Sequence, residues 1–350
     1  MYHLRLKGKH YDMGKKMGMI FRKAEVKFPL LLDDFQIEFG TKSGKLLKEF
    51  YPEAAEEIKG VTDIIHTDSV LFTSWLMCMG CCLYNLDAVS LIELRGCTAF
   101  FFCSGGNVYY GRDNDLPPFL RKGCKSVLYS PDNGNCFLLN TSSFINGEEG
   151  INQYGLVAAM TFVMPHLDEI KPGINSVFLV RYILEKCRNV KEAVKALTLL
   201  PIASSCNILL GDPSGNMLAV ECTPKEINVR YPEKNENAEN FIIAVNSFFS
   251  KKMWRYDNSD RNIFGADERY KTVLRSLKMP MNDPVRFTMD LLSGKYGFIC
   301  QYNKKLDFET VWATVFDISG FSIYRAEGNP QRKKFIKDTR LKKSDDTVSA

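Results

Sequence analysis

The sequence predicts an α+β fold in which two antiparallel sheets pack face to face, with helices covering both outer faces. Three observations carry that expectation. Residues 1 to 92 have the apolar spacing of helices. From residue 97 the texture changes to short apolar runs separated by turn residues. Strands and helices then come in blocks, whereas a doubly wound parallel sheet needs regular alternation. The 350 residues, 45% of them hydrophobic and 12% aromatic, supply ample material for a buried core.

The elements follow in order. "DMGKKMGMIFRKAEVKFPLLLDDFQIEFG" has apolar residues three to four apart, and "SGKLLKEFYPEAAEEIKGVTDII" repeats that spacing after a Ser-Gly start. "DSVLFTSWLMCMGCCLYNL" is apolar almost all round and reads as a buried helix. "CTAFFFC", "SGGN" and "VYYGRD" form a hairpin; "KSVLYS", "PDNGN" and "CFLLNTS" form another about Asn-Gly. "YGLVAAMTFV" is a strand. "SVFLVRYILEKCRNVKEAVKALTLL" is an amphipathic helix broken near Asn189 and capped by Asn175 or Ser176. "CNILLGDPSGNMLAVEC" is a third hairpin, "FIIAVNSFF" an apolar strand with a polar end, and "ADERYKTVLRSLKM" and "DPVRFTMDLLSGKYG" are helices. "TVWATVFDISGFSIYRAEG" is the final hairpin, leaving residues 331–350 as a basic, solvated and frayed tail.

Much of the net charge of +5 sits in that tail, which has no aromatic besides Phe335 among its charges, so no nucleic-acid partner is expected. The N-terminus lacks the apolar core of a signal peptide, and no apolar run reaches the roughly 18 residues of a membrane span. A cytoplasmic protein with no membrane partner is the expectation. Most of the eleven cysteines, among them Cys78, Cys82, Cys136, Cys206, Cys222 and Cys300, sit in apolar runs and read as small buried hydrophobes. Cys78 and Cys81 form a CxxC without a second pair at zinc-like distance. Neither metal nor cofactor is expected, since no histidine-ligand spacing and no glycine-rich phosphate loop occurs.

Cys97 is different. It opens a strand directly after Gly96 and is followed across the hairpin by Arg112-Asp113-Asn114-Asp115. A nucleophilic cysteine needs a base, and the four histidines (His3, His10, His66 and His166) offer no obvious partner. If the Gly96–Cys97 bond were cut, Cys97 would carry its own base, an α-amine with an ordinary pKa of about 7.7–8.0. Glycine suits the position before such a cut because it has no Cβ to obstruct attack on its carbonyl.

These segments resemble the N-terminal-nucleophile (Ntn) hydrolases. The specific branch is the self-processing peptidase C45 group typified by acyl-coenzyme A:6-aminopenicillanic acid acyltransferase, related to choloylglycine hydrolases and penicillin V acylases. "LRLKGKHYDMGKKMG" looks like the branch's opening, "RGCTAF" like its processing site and "YYGRDND" like its "GRNxD" segment. "GINQYGL", "CNILLGDPSGNMLAVE" and "FIIAVNSFF" resemble, in order, its "GMNExGL" segment, its central hairpin and its "TNH" strand end. Two departures stand out: Asp113-Asn114-Asp115 replaces Asn-aromatic-Asp, and Val245-Asn246-Ser247 replaces Thr-Asn-His.

The resemblance implies a four-layer αββα sandwich with a self-cleaved chain. Residues 1–96 would be a helical prosegment retained as a subunit, and 97–330 the catalytic domain. Cys97 takes the nucleophile's place, freed by the cut after Gly96. Arg112 and Asp115 take the places of residues that hold its thiol and amine, the arginine favouring thiolate. Asn246 falls on the oxyanion-hole asparagine, the second donor being a backbone N–H near Phe162, and Arg269 resembles a further active-site arginine. The implied reaction cleaves a linear amide of a small N-acyl substrate through a Cys97 thioester. Acyl transfer from an acyl thioester to an amine, and a non-catalytic binding member of the fold, remain as alternatives; homo-oligomerisation is left open.

Overall fold

The computed structural model of the chain describes residues 1–81, 83, 96–235, 239–258, 263–305 and 307–344. Its first element is a strand, β1 (Tyr2–Gly8), where the pattern predicted helix from the start. Four helices follow: α1 (His10–Lys23), α2 (Asp34–Phe50), α3 (Pro52–Ile65) and α4 (Ser69–Gly80). The helical texture of 12–40 is interrupted because Glu25 is left-handed (φ 50°) and Pro29 follows it. The helix restarts at Asp33, whose side chain and that of Gln36 close a capping box. The expected start at Ser43-Gly44 lies inside α2. Gly40 belongs there because a Cβ would fall 2.3 Å from Ser74 Cα of α4. The actual break is at Pro52, the first residue of α3. Residues 82 and 84–86 of the third expected helix lie outside the described residues.

The hairpins fall where their turns predicted them. They are β2 (Gly96–Ser104) with β3 (Asn107–Leu116), and β4 (Lys125–Pro131) with β5 (Phe137–Thr141). An unpredicted β6 (Glu149–Asn152) precedes β7 (Val157–Phe162). The broken amphipathic helix is α5 (Ser176–Lys186) and α6 (Val190–Leu199). Asn175 and Asn189 cap them, accepting the N–H groups of Phe178 at 3.2 Å and Glu192 at 2.9 Å. Then come β8 (Cys206–Gly211), β9 (Met217–Cys222), β10 (Ile227–Arg230), β11 (Glu233–Lys234) and β12 (Asn240–Ala244). The chain continues through α7 (Ala266–Ser276), α8 (Pro284–Leu292), β13 (Tyr302–Asn303), β14 (Phe308–Asp317), β15 (Ser322–Ala326) and β16 (Ile336–Asp338).

The strands make two sheets, ordered β1-β4-β5-β6-β7-β8-β9-β10 and β11-β12-β2-β3-β14-β15-β16, with β13 on β14. Every pair is antiparallel except β1 with β4. Helices α1–α6 cover the outer face of the first sheet through one apolar cluster. Ala99, Phe101, Tyr110 and Phe316 of the second sheet meet Leu128, Leu138 and Val157 of the first in a middle cluster. Helices α7 and α8 cover the far face through Val273, Phe287 and Leu291. This is the predicted αββα sandwich. Among the described residues no helix is long and apolar enough to cross a membrane.

A buried polar cluster ties the N-terminal helices to α5. Arg181 pairs with Glu57 of α3, and Glu185 accepts from His10 Nε2 at 2.8 Å and Tyr51 Oη at 2.6 Å. Residues 336–341 of the segment expected to fray are instead built into the sandwich, and residues 345–350 of it lie outside the described residues. Strand β16 pairs with β15, Leu341 is buried, and Asp338 bridges Arg325 (2.9 Å) and Arg340 (2.6 Å). Arg340 also donates to Ser126 O of β4 at 2.9 Å. The basic run looked solvated because charge was counted without its buried acidic partner.

Burial alone would raise the Asp338 carboxyl, but Arg340 and Arg325 outweigh it and hold the carboxyl below the usual carboxylate range. A depressed folded-state pKa gives stability that is present above the unfolded value of about 3.9 and lost as pH falls. Asp338→Asn is therefore expected to lower the melting temperature by about 2 °C or more at pH 7. Melts at descending pH should show the gap to wild type closing. A gap independent of pH would mean that shape, not charge, fixes the C-terminal strand.

Candidate active site

The register of three neighbouring strands sets the site. β2 pairs with β3 so that Cys97 stands opposite Asn114, Thr98 opposite Asp113 and Gly96 opposite Asp115. Side chains alternate along a strand, so Arg112 and Asn114 lie on one face of β3 and Asp113 and Asp115 on the other. On its other side β2 pairs with β12, which brings Asn246, just past the end of β12, beside Cys97.

Each polar atom of Cys97 is held by a different side chain. Its N–H donates to Asn246 Oδ1 at 2.9 Å, its carbonyl accepts from Arg269 Nη1 at 2.6 Å, and Arg112 Nη2 lies 3.1 Å from Sγ. Arg112 is anchored by Asn114 Oδ1 at 2.7 Å and by the Met160 carbonyl of the facing sheet. Arg269, on α7, also donates to Thr98 Oγ1 at 2.7 Å and to Asn246 Oδ1 at 3.0 Å. Asn246 Oδ1 therefore receives two donors, which orients the amide so that Nδ2 points to the Phe162 carbonyl at 3.1 Å. One Nδ2 hydrogen is left for another acceptor.

The six positions singled out in the sequence (Cys97, Arg112, Asp115, Asn246, Arg269 and Phe162) thus converge, together with Gly96. All are buried. Arg269, placed by the weakest sequence match, bonds to Cys97, Thr98 and Asn246. Asp115 is next to Gly96: a Cβ there would lie 2.9 Å from Asp115 Oδ2 and 3.0 Å from Phe308 Cζ, so any larger residue would displace one of these side chains. Thr310 donates to Asp115 Oδ1 at 2.6 Å, while Oδ2 has no hydrogen-bond partner among the described residues.

Three residues that complete the site were not read from the sequence. Thr310 fixes Asp115, and Asp113 fills the space beside it. Asn207 of β8 donates to the carbonyls of Val245 and Ser247, each at 3.2 Å, and so pins the turn that carries Asn246. A lone asparagine inside "CNILLG" was the available signal for the last.

Electrostatics differ from the simple expectation at the thiol. Burial raises the Cys97 thiol above its ordinary value; Arg112 and Arg269 pull it down, Asp115 and Glu148 push it up, and burial prevails. In the unbroken chain Cys97 is a thiol. The cavity against it, bounded by Asn114, Glu148, Phe162 and Ser176 among others, has a volume of about 20 Å³. That is room for a water molecule and far below the few hundred Å³ of a substrate pocket. No described histidine bonds to Cys97: His3 bonds to Glu327 and His10 to Glu185.

Residues 103–332 match the model of the family described as acyl-coenzyme A:6-aminopenicillanic acid acyl-transferase. The chain belongs to this family. Arg112, Asp115, Phe162, Asn246 and Arg269 fall inside the match, and Cys97 lies just before it. The family is described as one of acyl-transferases. Among solved structures it is similar to a mutant of conjugated bile acid hydrolase from Clostridium perfringens. Identity there is 13%, coverage 72% of this chain and 100% of the other, and the TM-score 0.47. It is similar also to penicillin V acylase from Agrobacterium tumefaciens, at 17% identity over 71% and 89% of the two chains, with a TM-score of 0.44. No curated protein matches the chain.

Proposed function

We propose that the chain is a self-processing cysteine amidohydrolase that cuts its own Gly96–Cys97 bond and then cleaves a linear amide of a small N-acyl substrate. The observation that carries this reading is the triple hold on Cys97: Asn246 at its nitrogen, Arg269 at its carbonyl and Arg112 at its sulfur, at 2.9, 2.6 and 3.1 Å. A packing cysteine has no need of such a hold.

After the cut, the nitrogen on Asn246 Oδ1 becomes an amine next to the unpartnered Asp115 Oδ2. The amine takes the Cys97 thiol proton as the sulfur attacks the acyl carbonyl. Asn246 Nδ2 and a backbone N–H near Phe162 face the developing oxyanion. Water resolves the thioester; an amine acceptor would resolve it by acyl transfer, using the same groups. The thiol's raised pKa and the small cavity suit an unprocessed state. Residues 1–96 stay attached after the cut through the β1–β4 pairing and the Glu57–Arg181 and His10–Glu185 contacts.

Intact-mass measurement of purified protein is expected to show pieces of 96 and 254 residues, the larger beginning with Cys97 by N-terminal sequencing. A panel of acyl amides should then leave an acyl mass on the larger piece. An uncut chain, or a cut elsewhere, removes the proposal.

A further inference from the structure

Asp113 and Asp115 share one face of β3, two residues apart, so their Cα atoms lie about 7 Å from each other. Both are fully buried, with 0% exposure. Thr310 Oγ1 accepts from Gln301 N at 2.8 Å and donates to Asp115 Oδ1 at 2.6 Å, so Asp115 has a hydroxyl donor that Asp113 lacks. Neither oxygen of Asp113 has a hydrogen-bond donor among the described residues. Of the two arginines nearby, Arg112 lies on the opposite face of the strand and is aimed at Cys97 Sγ and the Met160 carbonyl. Arg269 does face the pair, and the hydrogen bonds given above lead it to neutral oxygens of Cys97, Thr98 and Asn246. Two buried carboxylates thus share one cation on their own face of the strand, with Arg112 acting from the other face. An unpaired buried charge is costly, so the arrangement favours a proton on one of the two, and the Thr310 hydroxyl on Asp115 favours Asp113 as its owner.

Self-cleavage supplies the missing cation, because the cut turns the Cys97 amide into an amine. On the reading that Cys97 processes the chain, we propose that Asp113 enters the reaction as a neutral carboxylic acid and that its proton, passed by way of Asp115, converts the new Cys97 amine to ammonium. Cys97 Sγ bonds to the Gly96 carbonyl carbon, the Gly96–Cys97 C–N bond breaks, and the thiol proton goes to the nitrogen. A thioester and a neutral amine result. The Asp113 proton then makes the amine ammonium and leaves a carboxylate. Water hydrolyses the thioester, restoring the thiol and releasing the Gly96 carboxylate and one proton to solvent. Two carboxylates now face two cations, the ammonium and Arg269, and the ammonium returns a proton to solvent before the neutral amine serves as the base for acylation.

The surroundings agree. Burial first and the Asp115 charge second push the Asp113 carboxyl well above the carboxylate range, against Arg269 and Arg112, with Glu149 adding a smaller push. Asp115 is raised by burial, and Arg269 and Thr310 hold it down. Cys300, the remaining titratable neighbour, is a thiol raised chiefly by burial and next by Asp113.

The test compares full-length chains. Infrared difference spectra of Cys97→Ala against Cys97→Ala/Asp113→Asn at neutral pH should show the carbonyl band of a protonated carboxyl. The same difference between split wild type and split Asp113→Asn should not. Freshly purified Asp113→Asn should split at least tenfold more slowly than wild type and lack the wild-type fall in rate at alkaline pH. Asp113→Glu, which keeps an acid there, should recover most of the rate. A protonated band absent before the cut or persisting after it overturns the proposal, as does Asp113→Asn splitting with wild-type rate and pH profile. That last outcome leaves Cys97 processing intact. A wild-type chain that never splits sinks both.

Discussion

Cys97→Ala is expected to remain a single 350-residue polypeptide, to form no acyl adduct and to turn over no amide. The size of the effect follows from where the thiol sits. Cys97 is only 5% exposed and its sulfur lies 3.1 Å from Arg112 Nη2, with Asn114 Oδ1 at 3.6 Å. No second thiol is placed there: among the described residues Cys103 is at the far end of β2, and Cys124 and Cys300 donate to the Leu120 carbonyl and Asn329 Oδ1. Removing the sulfur therefore removes the only thiol among the described residues in position to attack either the Gly96 carbonyl or a substrate. The fold should survive, since alanine keeps the backbone bonds to Asn246 and Arg269. Intact mass and melting temperature, read together, separate a chemical loss from a structural one. A Cys97→Ala chain still cut after Gly96 would show that an outside protease makes the cut. A Cys97→Ala chain that stays whole yet turns over amides would remove Cys97 from the chemistry.

How much of this was legible beforehand depends on the range of each interaction. Turns and caps are local, so Gly105-Gly106, Asn133-Gly134, Asn175 and Asn189 placed the hairpins and the broken α5–α6 helix from the sequence. Cys97, Arg112 and Asp115 were readable because they belong to one hairpin. Asp113 was seen only as a departure from a pattern, since its lack of partners is a property of the folded cluster. Thr310 was invisible: it meets Asp115 through the β14–β3 pairing, whose register shifts between Thr310 and Trp312. Strand β1 had a signal that was passed over, the alternation of Tyr2, Leu4 and Leu6 with His3, Arg5 and Lys7. Strand β16 had almost none in three residues. The clustering of basic charge hid Arg340, whose partners Asp338 and Ser126 lie within the fold.

Asn246→Ala is expected to lower kcat by about 10²–10³ with a much smaller change in KM, because an oxyanion donor acts chiefly where negative charge develops. The amide does more than donate to an oxyanion. Its Oδ1 accepts both Cys97 N at 2.9 Å and Arg269 Nη2 at 3.0 Å, and its Nδ2 holds the Phe162 carbonyl at 3.1 Å. Alanine leaves the Cys97 nitrogen, one arm of a buried arginine and a strand-end carbonyl without this partner at once. Processing should therefore slow as well, since the nitrogen that must leave the Gly96 carbonyl loses its anchor. Asn246→Asp separates the two roles. It keeps an acceptor for Cys97 N and Arg269 but removes the Nδ2 donor and sets a carboxylate oxygen against the Phe162 carbonyl. It should process faster than Asn246→Ala while turning over no better. Single-turnover acylation of the split enzyme, measured beside the rate of chain splitting, reads both effects. Near wild-type acylation in the Asn246→Ala enzyme would take this residue out of the oxyanion site and leave it as a support for Arg269.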